Sequence, residues 1–163
     1  MNKSNWTAAV LFVLALPMFG VTIAKAQEGP APAPSQAAEE ETINRKDAQN
    51  VFEVLLMTYR EGSDSESEKK VLYGSMDWLH ISEKEFDLIF EKVKKSDEKW
   101  TPRVAKSHGV QSGMVYAQVR LIIADGEVSE NEERVAGKVR EKVNLSEEEY
   151  DAIVQQAVKD SRG

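Results

Sequence analysis

The apolar positions of this chain fall at helical spacing through its second and third quarters, and the pattern returns 64 residues later. Phe52, Leu55, Leu56 and Tyr59 stand three and four apart; Val115, Tyr116, Val119, Ile122 and Ile123 do the same further on. Each set predicts an opening helix with one buried face. Phe86, Ile89, Phe90 and Val93, and likewise Tyr150, Ile153, Val154 and Ala157, form an i, i+3, i+4, i+7 stripe on a closing helix. From Gly62 to Ile89, ten of 28 positions are identical to those 64 further on, where ordinary residue usage gives about two or three. The match is plainest where Ile81 to Ile89 (ISEKEFDLI) recurs as Leu145 to Ile153 (LSEEEYDAI). Segments 51–96 and 115–160 therefore read as two copies of one helical unit.

Polar residues punctuate both copies alike. Gly62 and Gly126 follow the opening helices, where a residue free of the left-handed penalty ends a helix. Four Ser-x-x-Glu boxes come next: Ser65 with Glu68, Ser82 with Glu85, Ser129 with Glu132, and Ser146 with Glu149. In each, the serine hydroxyl accepts a first-turn amide and the glutamate reaches back to the serine amide, so each box marks a helix start. His80 and Asn144 precede the second box of each copy, and both residue types tolerate the left-handed conformation. Ile81 and Leu145 are placed to staple onto Phe86 and Tyr150. Between the copies, Lys99 to Pro102 resembles a short helix start, with Gly109 past its end. The expected fold is all-α, about seven helices in two pseudo-repeated halves.

The first 42 residues follow another rule. Lys3 and the terminal amine precede an apolar run from Ala8 to Ile23, and Ala24-Lys25-Ala26 offers a small-x-small cleavage pattern. Residues 1–26 thus read as a signal peptide, with a mature chain from Gln27 in the periplasm or outside the cell. The alternative is an uncut inner-membrane anchor and tether. It has only 16 apolar-run residues, broken by Pro17 and Gly20, where a spanning helix needs about 20. Residues 27–42 contain EGPAPAPSQAAEEE, with three prolines and nothing large to bury, and read as a disordered linker. The folded domain is expected over 43–163.

Charge narrows the partners. With 28 acidic against 21 basic side chains the 163-residue chain carries a net charge of -7, which disfavours nucleic acid and anionic membrane faces and favours cations or basic protein patches. The absence of cysteine excludes disulfides, thiolate metal sites and a lipid-modified cysteine.

The stretch from Leu121 to Ile153 (LIIADGEVSENEERVAGKVREKVNLSEEEYDAI) resembles the TerB-like family, named for tellurite-resistance proteins. An apolar helix runs into Asp-Gly-Glu-Val-Ser, then an acidic first turn, then a second Ser-Glu-Glu start. The resemblance covers most of Asp47 to Asp160 and implies a pseudo-repeated all-helical domain. It also implies a link to stress and tellurite resistance, to membrane-associated complexes and to metal binding. The first copy departs from the pattern, reading Arg60-Glu61-Gly62-Ser63-Asp64-Ser65 where the family prefers Ala-Asp-Gly.

The loop at Asp125 is the candidate site. Aligning Gly126 with the sixth position of a calcium loop puts Asp125 at 5, the Glu127 carbonyl at 7, Ser129 at 9 and Glu132 at 12. Leu121 and Ile123 then occupy positions 1 and 3, which excludes a standard high-affinity loop. A second acidic cluster, Glu61, Asp64, Glu66 and Glu68, stands at the pseudo-equivalent place. One reading joins Asp125, Glu127, Ser129 and Glu132 with Glu61, Asp64 and Glu68 in a modest-affinity Ca2+ or Mg2+ site. The other treats the acids as caps, favoured in a first turn by the macrodipole and by the box itself. Capping accounts for the glutamates more fully than for Asp125.

No nucleophile, phosphate loop or zinc spacing accompanies these acids, and His80 and His108 lack spaced partners. Trp78 and Trp100 read as packing residues. The Lys92, Lys94, Lys95 and Lys99 stretch reads as a helix end. The expectation is an exported, non-catalytic interaction module meeting an envelope or membrane protein partner, with the weak cation reading of the Asp125 loop as part of it. The alternative is a structural accessory subunit of a membrane complex, indifferent to ions.

Overall fold

A computed structural model describes residues 43–162, so the signal-peptide and linker assignments at 1–26 and 27–42 lie outside the described residues. Within it, short polar side chains open every helix. Asn44, Ser65, Ser82, Ser107, Ser129 and Ser146 each accept the amide three residues on. They start α1 (Arg45–Glu61), α2 (Glu66–Trp78), α3 (Glu83–Lys94), α4 (His108–Ile122), α5 (Glu130–Arg140) and α6 (Glu147–Ser161). At α2, α3, α5 and α6 the glutamate returns the bond to the serine amide, completing the box. Each such cap stabilises by about 1 kcal/mol.

The described residues form six helices and no strand, one helix fewer than expected. The short helix expected at Lys99 to Pro102 does not form, and Gly109 lies in the first turn of α4 instead. The cause is tertiary. Lys138 Nζ takes the carbonyls of Glu98 at 2.6 Å and Trp100 at 2.9 Å, and Trp100 Nε1 donates to Glu53 Oε1 at 3.1 Å. Carbonyls bound this way are already satisfied without an i+4 amide. Pro102 and Ala105 are buried beneath the same irregular segment.

The core is built on α1 and α4, which pack on each other. Helices α2, α3 and α5 also pack on α1, and α2, α5 and α6 on α4. Every residue of α1 from Val51 to Thr58 is buried, as expected of a helix covered on all sides. Met114, Val115, Val119, Leu121 and Ile122 answer from α4. Burying each large apolar side chain contributes roughly 1.5–3 kcal/mol. One polar pair crosses this core: Gln118 Nε2 donates to Thr58 Oγ1 at 3.0 Å, and Thr58 Oγ1 donates to the Val54 carbonyl at 2.9 Å.

The stripes hold with one exception. Ile89, Val93, Tyr150, Val154 and Ala157 are buried and Phe86 and Ile153 half-buried, but Phe90 lies at the rim. It stacks on Phe86 with ring centroids 5.7 Å apart, under the Lys94 ammonium. The expected left-handed joint appears in one copy: His80 has φ of 51°, and Ile81 N donates to the Met76 carbonyl at 2.9 Å, the bond that closes a helix end. Asn144 does not adopt that conformation, because α5 stops earlier, at Arg140.

Candidate functional site

The two acidic clusters meet, but through only some of their members. Glu68 and Glu132 occupy the third position of α2 and α5, a position that caps their own helix starts. Both are buried, at 0% and 3% exposure. The backbone between α1 and α2 passes between them. A methyl group on Gly62 would collide with Glu68 Oε1 and stand 3.0 Å from Glu132 Oε1. Gly62 is extended (φ -87°, ψ -159°), so the left-handed conformation expected there is absent. A Cβ there would have to displace the Glu68 carboxylate and press on that of Glu132, so the case for glycine at this position is steric. Gly126 does take the expected conformation, with φ of 84° and open space around it.

Ser63 joins the two clusters. Its amide donates to Glu68 Oε1 at 3.2 Å, and its hydroxyl lies 2.7 Å from Glu68 Oε2 and also in hydrogen-bond contact with Asp125 Oδ2. One hydroxyl proton serves two carboxyl groups there. The other oxygen of Asp125 accepts the Glu127 amide at 2.9 Å, the local turn that aspartate favours. Ser129 Oγ donates to the Glu61 carbonyl at 3.2 Å while accepting the Glu132 amide at 3.2 Å. Burial pushes the Glu132 carboxyl above its ordinary value of 4.5. The Ser129 amide and hydroxyl oppose that shift, and the charges of Glu68 and Asp125 add to it.

The remaining candidates point elsewhere. The Glu61 carboxylate is held by Arg60 at 2.6 Å and Arg134 at 3.1 Å. Asp64 is left-handed (φ 56°), accepts the Tyr59 hydroxyl and lies 3.5 Å from Lys69. That bond lowers the exposed Asp64 carboxyl, while burial, and after it the same bond, raises the Tyr59 phenol. Glu127 is exposed. Of the seven residues, then, Glu68, Asp125 and Glu132 converge and Ser129 braces them, while Glu61 and Glu127 join through their backbones alone and Asp64 takes no part. Oxygens in the convergence are engaged by amides and hydroxyls of this chain. Among the described residues no group of three or more acidic or histidine side chains is disposed to hold a metal ion.

Sequence reasoning missed a different feature. A groove of about 660 Å³ runs between α2 and α4 and reaches Ser161 at the end of α6. None of the seven acidic candidates lines it. Trp78 forms one wall, 49% exposed, and would stand 3.1 Å from a methyl group on Gly113. The signal was present in the aligned copies. Gly74, Ala117 and Ala124 line the groove at the positions where the other copy carries Lys138, Glu53 and Arg60.

No family model matches the chain, and no curated protein or solved structure matches it significantly.

Proposed function

We propose that this protein is an exported, non-catalytic interaction module of TerB-like type that works by surface contact with an envelope protein. The observation that carries the reading is the open groove between α2 and α4, with the half-exposed Trp78 in its wall. Exposed aromatic side chains beside an apolar recess mark protein contact sites more often than bare surface does. Tyr73 and Leu88 add exposed apolar area on α2 and α3.

The two-halves reading is supported by the helix starts. Ser65 and Ser129, and Ser82 and Ser146, open helices with the same box at an offset of 64. It is supported too by packing, since each of α1 with α3, α1 with α5 and α1 with α2 has its counterpart in α4 with α6, α4 with α2 and α4 with α5. Export is supported by the charged start, apolar run and small-x-small pattern of residues 1–26. The acidic centre acts as a clasp between helix starts in this reading; the Ca2+ or Mg2+ alternative would have to displace hydrogen bonds from Ser63, Ser65 and Ser129.

Photo-cross-linking in the native host tests the proposal, with a benzophenone side chain at position 78 and a control at the exposed position 155. A discrete adduct with one envelope protein from position 78 alone supports it. Equal labelling from both positions, or none from 78, overturns it.

A further inference from the structure

The groove has a filled counterpart in the same molecule. Across α1 and α5 lies the irregular segment after α3, gripped by three charged side chains. Arg60 Nη1 holds the Ser96 carbonyl at 3.0 Å, Lys138 Nζ holds the carbonyls of Glu98 and Trp100, and Glu53 accepts the Trp100 indole. A shift of 64 positions carries Arg60 to Ala124, Glu53 to Ala117 and Lys138 to Gly74. All three destinations line the groove between α2 and α4. The helices that cradle a turn of irregular chain on one side thus form an equivalent cradle on the other, with the clasps cut back to small residues and no described segment laid across it.

The cut-back cradle differs in charge as well as in room. Lys70 and Arg120 stand along it. Arg134, the counterpart of Lys70, is paired with Glu61 at 3.1 Å, while Arg120 reaches the Tyr116 hydroxyl at 3.4 Å, which in turn donates to Asp160 at 2.8 Å. On a chain of net charge -7 this is a local positive edge beside an apolar floor of Val71, Ala117 and Ile123. A methyl group on Gly74 would meet nothing within 4 Å. The volume lies within the range that admits a few side chains of a peptide.

We infer that the groove binds an acidic, non-helical segment of a partner protein. Its backbone would run across α2 and α4 as residues 98–100 run across α1 and α5. One large apolar side chain would rest against Trp78 in the space beside Gly74, and a flanking carboxylate would meet Lys70 and Arg120. This rests on the interaction-module reading and names the partner chemistry for that surface.

Selection of displayed random peptides on the full-length protein tests it. The expected peptides carry one aromatic or large aliphatic residue flanked by carboxylates. Their binding should fall about tenfold in Lys70→Glu, as removal of a close opposite charge implies, and be lost in Gly74→Trp, which fills the groove from an open helical position. Unchanged circular dichroism and melting show that each variant is folded. A basic or uncharged consensus, no enrichment at all, or binding indifferent to Gly74→Trp overturns the inference. So does self-association abolished by Gly74→Trp, which would make a second copy the occupant. A cross-link from position 78 with no acidic peptide selected would defeat this inference and leave the interaction-module reading standing; absence of both would defeat the two together.

Discussion

Gly62 and Gly126 are the same residue at the same place in the two copies, yet each is needed for a different reason. Gly126 turns left-handed in open space, so its requirement is conformational. Gly62 is extended, a conformation any residue adopts, and its requirement is steric, imposed by Glu68 and Glu132 on either side. The left-handed turn in the first copy is made two residues later by Asp64. The same letter at an offset of 64 thus rests on different physics, and the difference falls where the ends of α1 and α4 meet the starts of α2 and α5.

The largest expected effect separates the two glycines. Gly62→Ala should cost about 3 kcal/mol, combining overpacking with loss of a cap, because the glutamate it strikes is fixed by three bonds. Gly126→Ala should cost about 1 kcal/mol, from backbone strain alone. Urea midpoints measure both; equal losses would erase the distinction. Next come the glutamates. Glu68→Ala strips a partner from the amides of Ser63 and Ser65 and should cost about 2 kcal/mol. Glu132→Ala strips only the Ser129 amide and removes a charge that Glu68 and Asp125 repel, so it should cost about 1 kcal/mol. A larger loss for Glu132→Ala would mean that repulsion in the cluster is negligible.

Smaller still is the response to acid. Because the folded Glu132 carboxyl titrates above its unfolded value of 4.5, the folded chain holds more protons in that window, and this group's contribution to stability is lost as pH rises through it. Chemical denaturation from neutral pH down to about 4.5 should therefore show the wild type gaining on Glu132→Gln. The exposed carboxyls of Asp64, Glu149 and Asp160, held low by hydrogen bonds, lose their contribution at more acid pH, equally in both proteins. The smallest effect is ionic. Calcium or magnesium should shift the Tm of the wild type and of Asp125→Ala alike, whereas a shift confined to the wild type would restore the cation reading of the cluster.

Local chemistry was legible in the sequence. A Ser-x-x-Glu box declares a helix start within four residues, and the start occurs wherever the box does; His80 announced its own left-handed turn. What depends on distant partners was not. Nothing near Trp100 says that Glu53 and Lys138 will hold it out of a helix, so a seventh helix was expected there. Phe90 fits the stripe by spacing, but its neighbours across the helix leave it at the rim. The acidic site was half visible: pseudo-symmetry pointed to Glu68 facing Glu132, while Ser63, the residue that joins them to Asp125, carries no signature beyond its type. The groove needed knowledge that Gly74 on α2 faces Ala117 and Ala124 across it, which only packing reveals.

The bridge at Ser63 has a consequence for motion. A helix end ordinarily frays alone, each turn opening independently of the rest of the molecule. Here the first turn of α2 holds Ser63, Ser63 holds the loop after α4, and Ser129 at the start of α5 holds the Glu61 carbonyl at the end of α1. To loosen any one of these ends is to disturb the next. The junction should therefore open as a single event, with the amides of Ser63, Ser65 and Ser129 exchanging their hydrogens at a common slow rate.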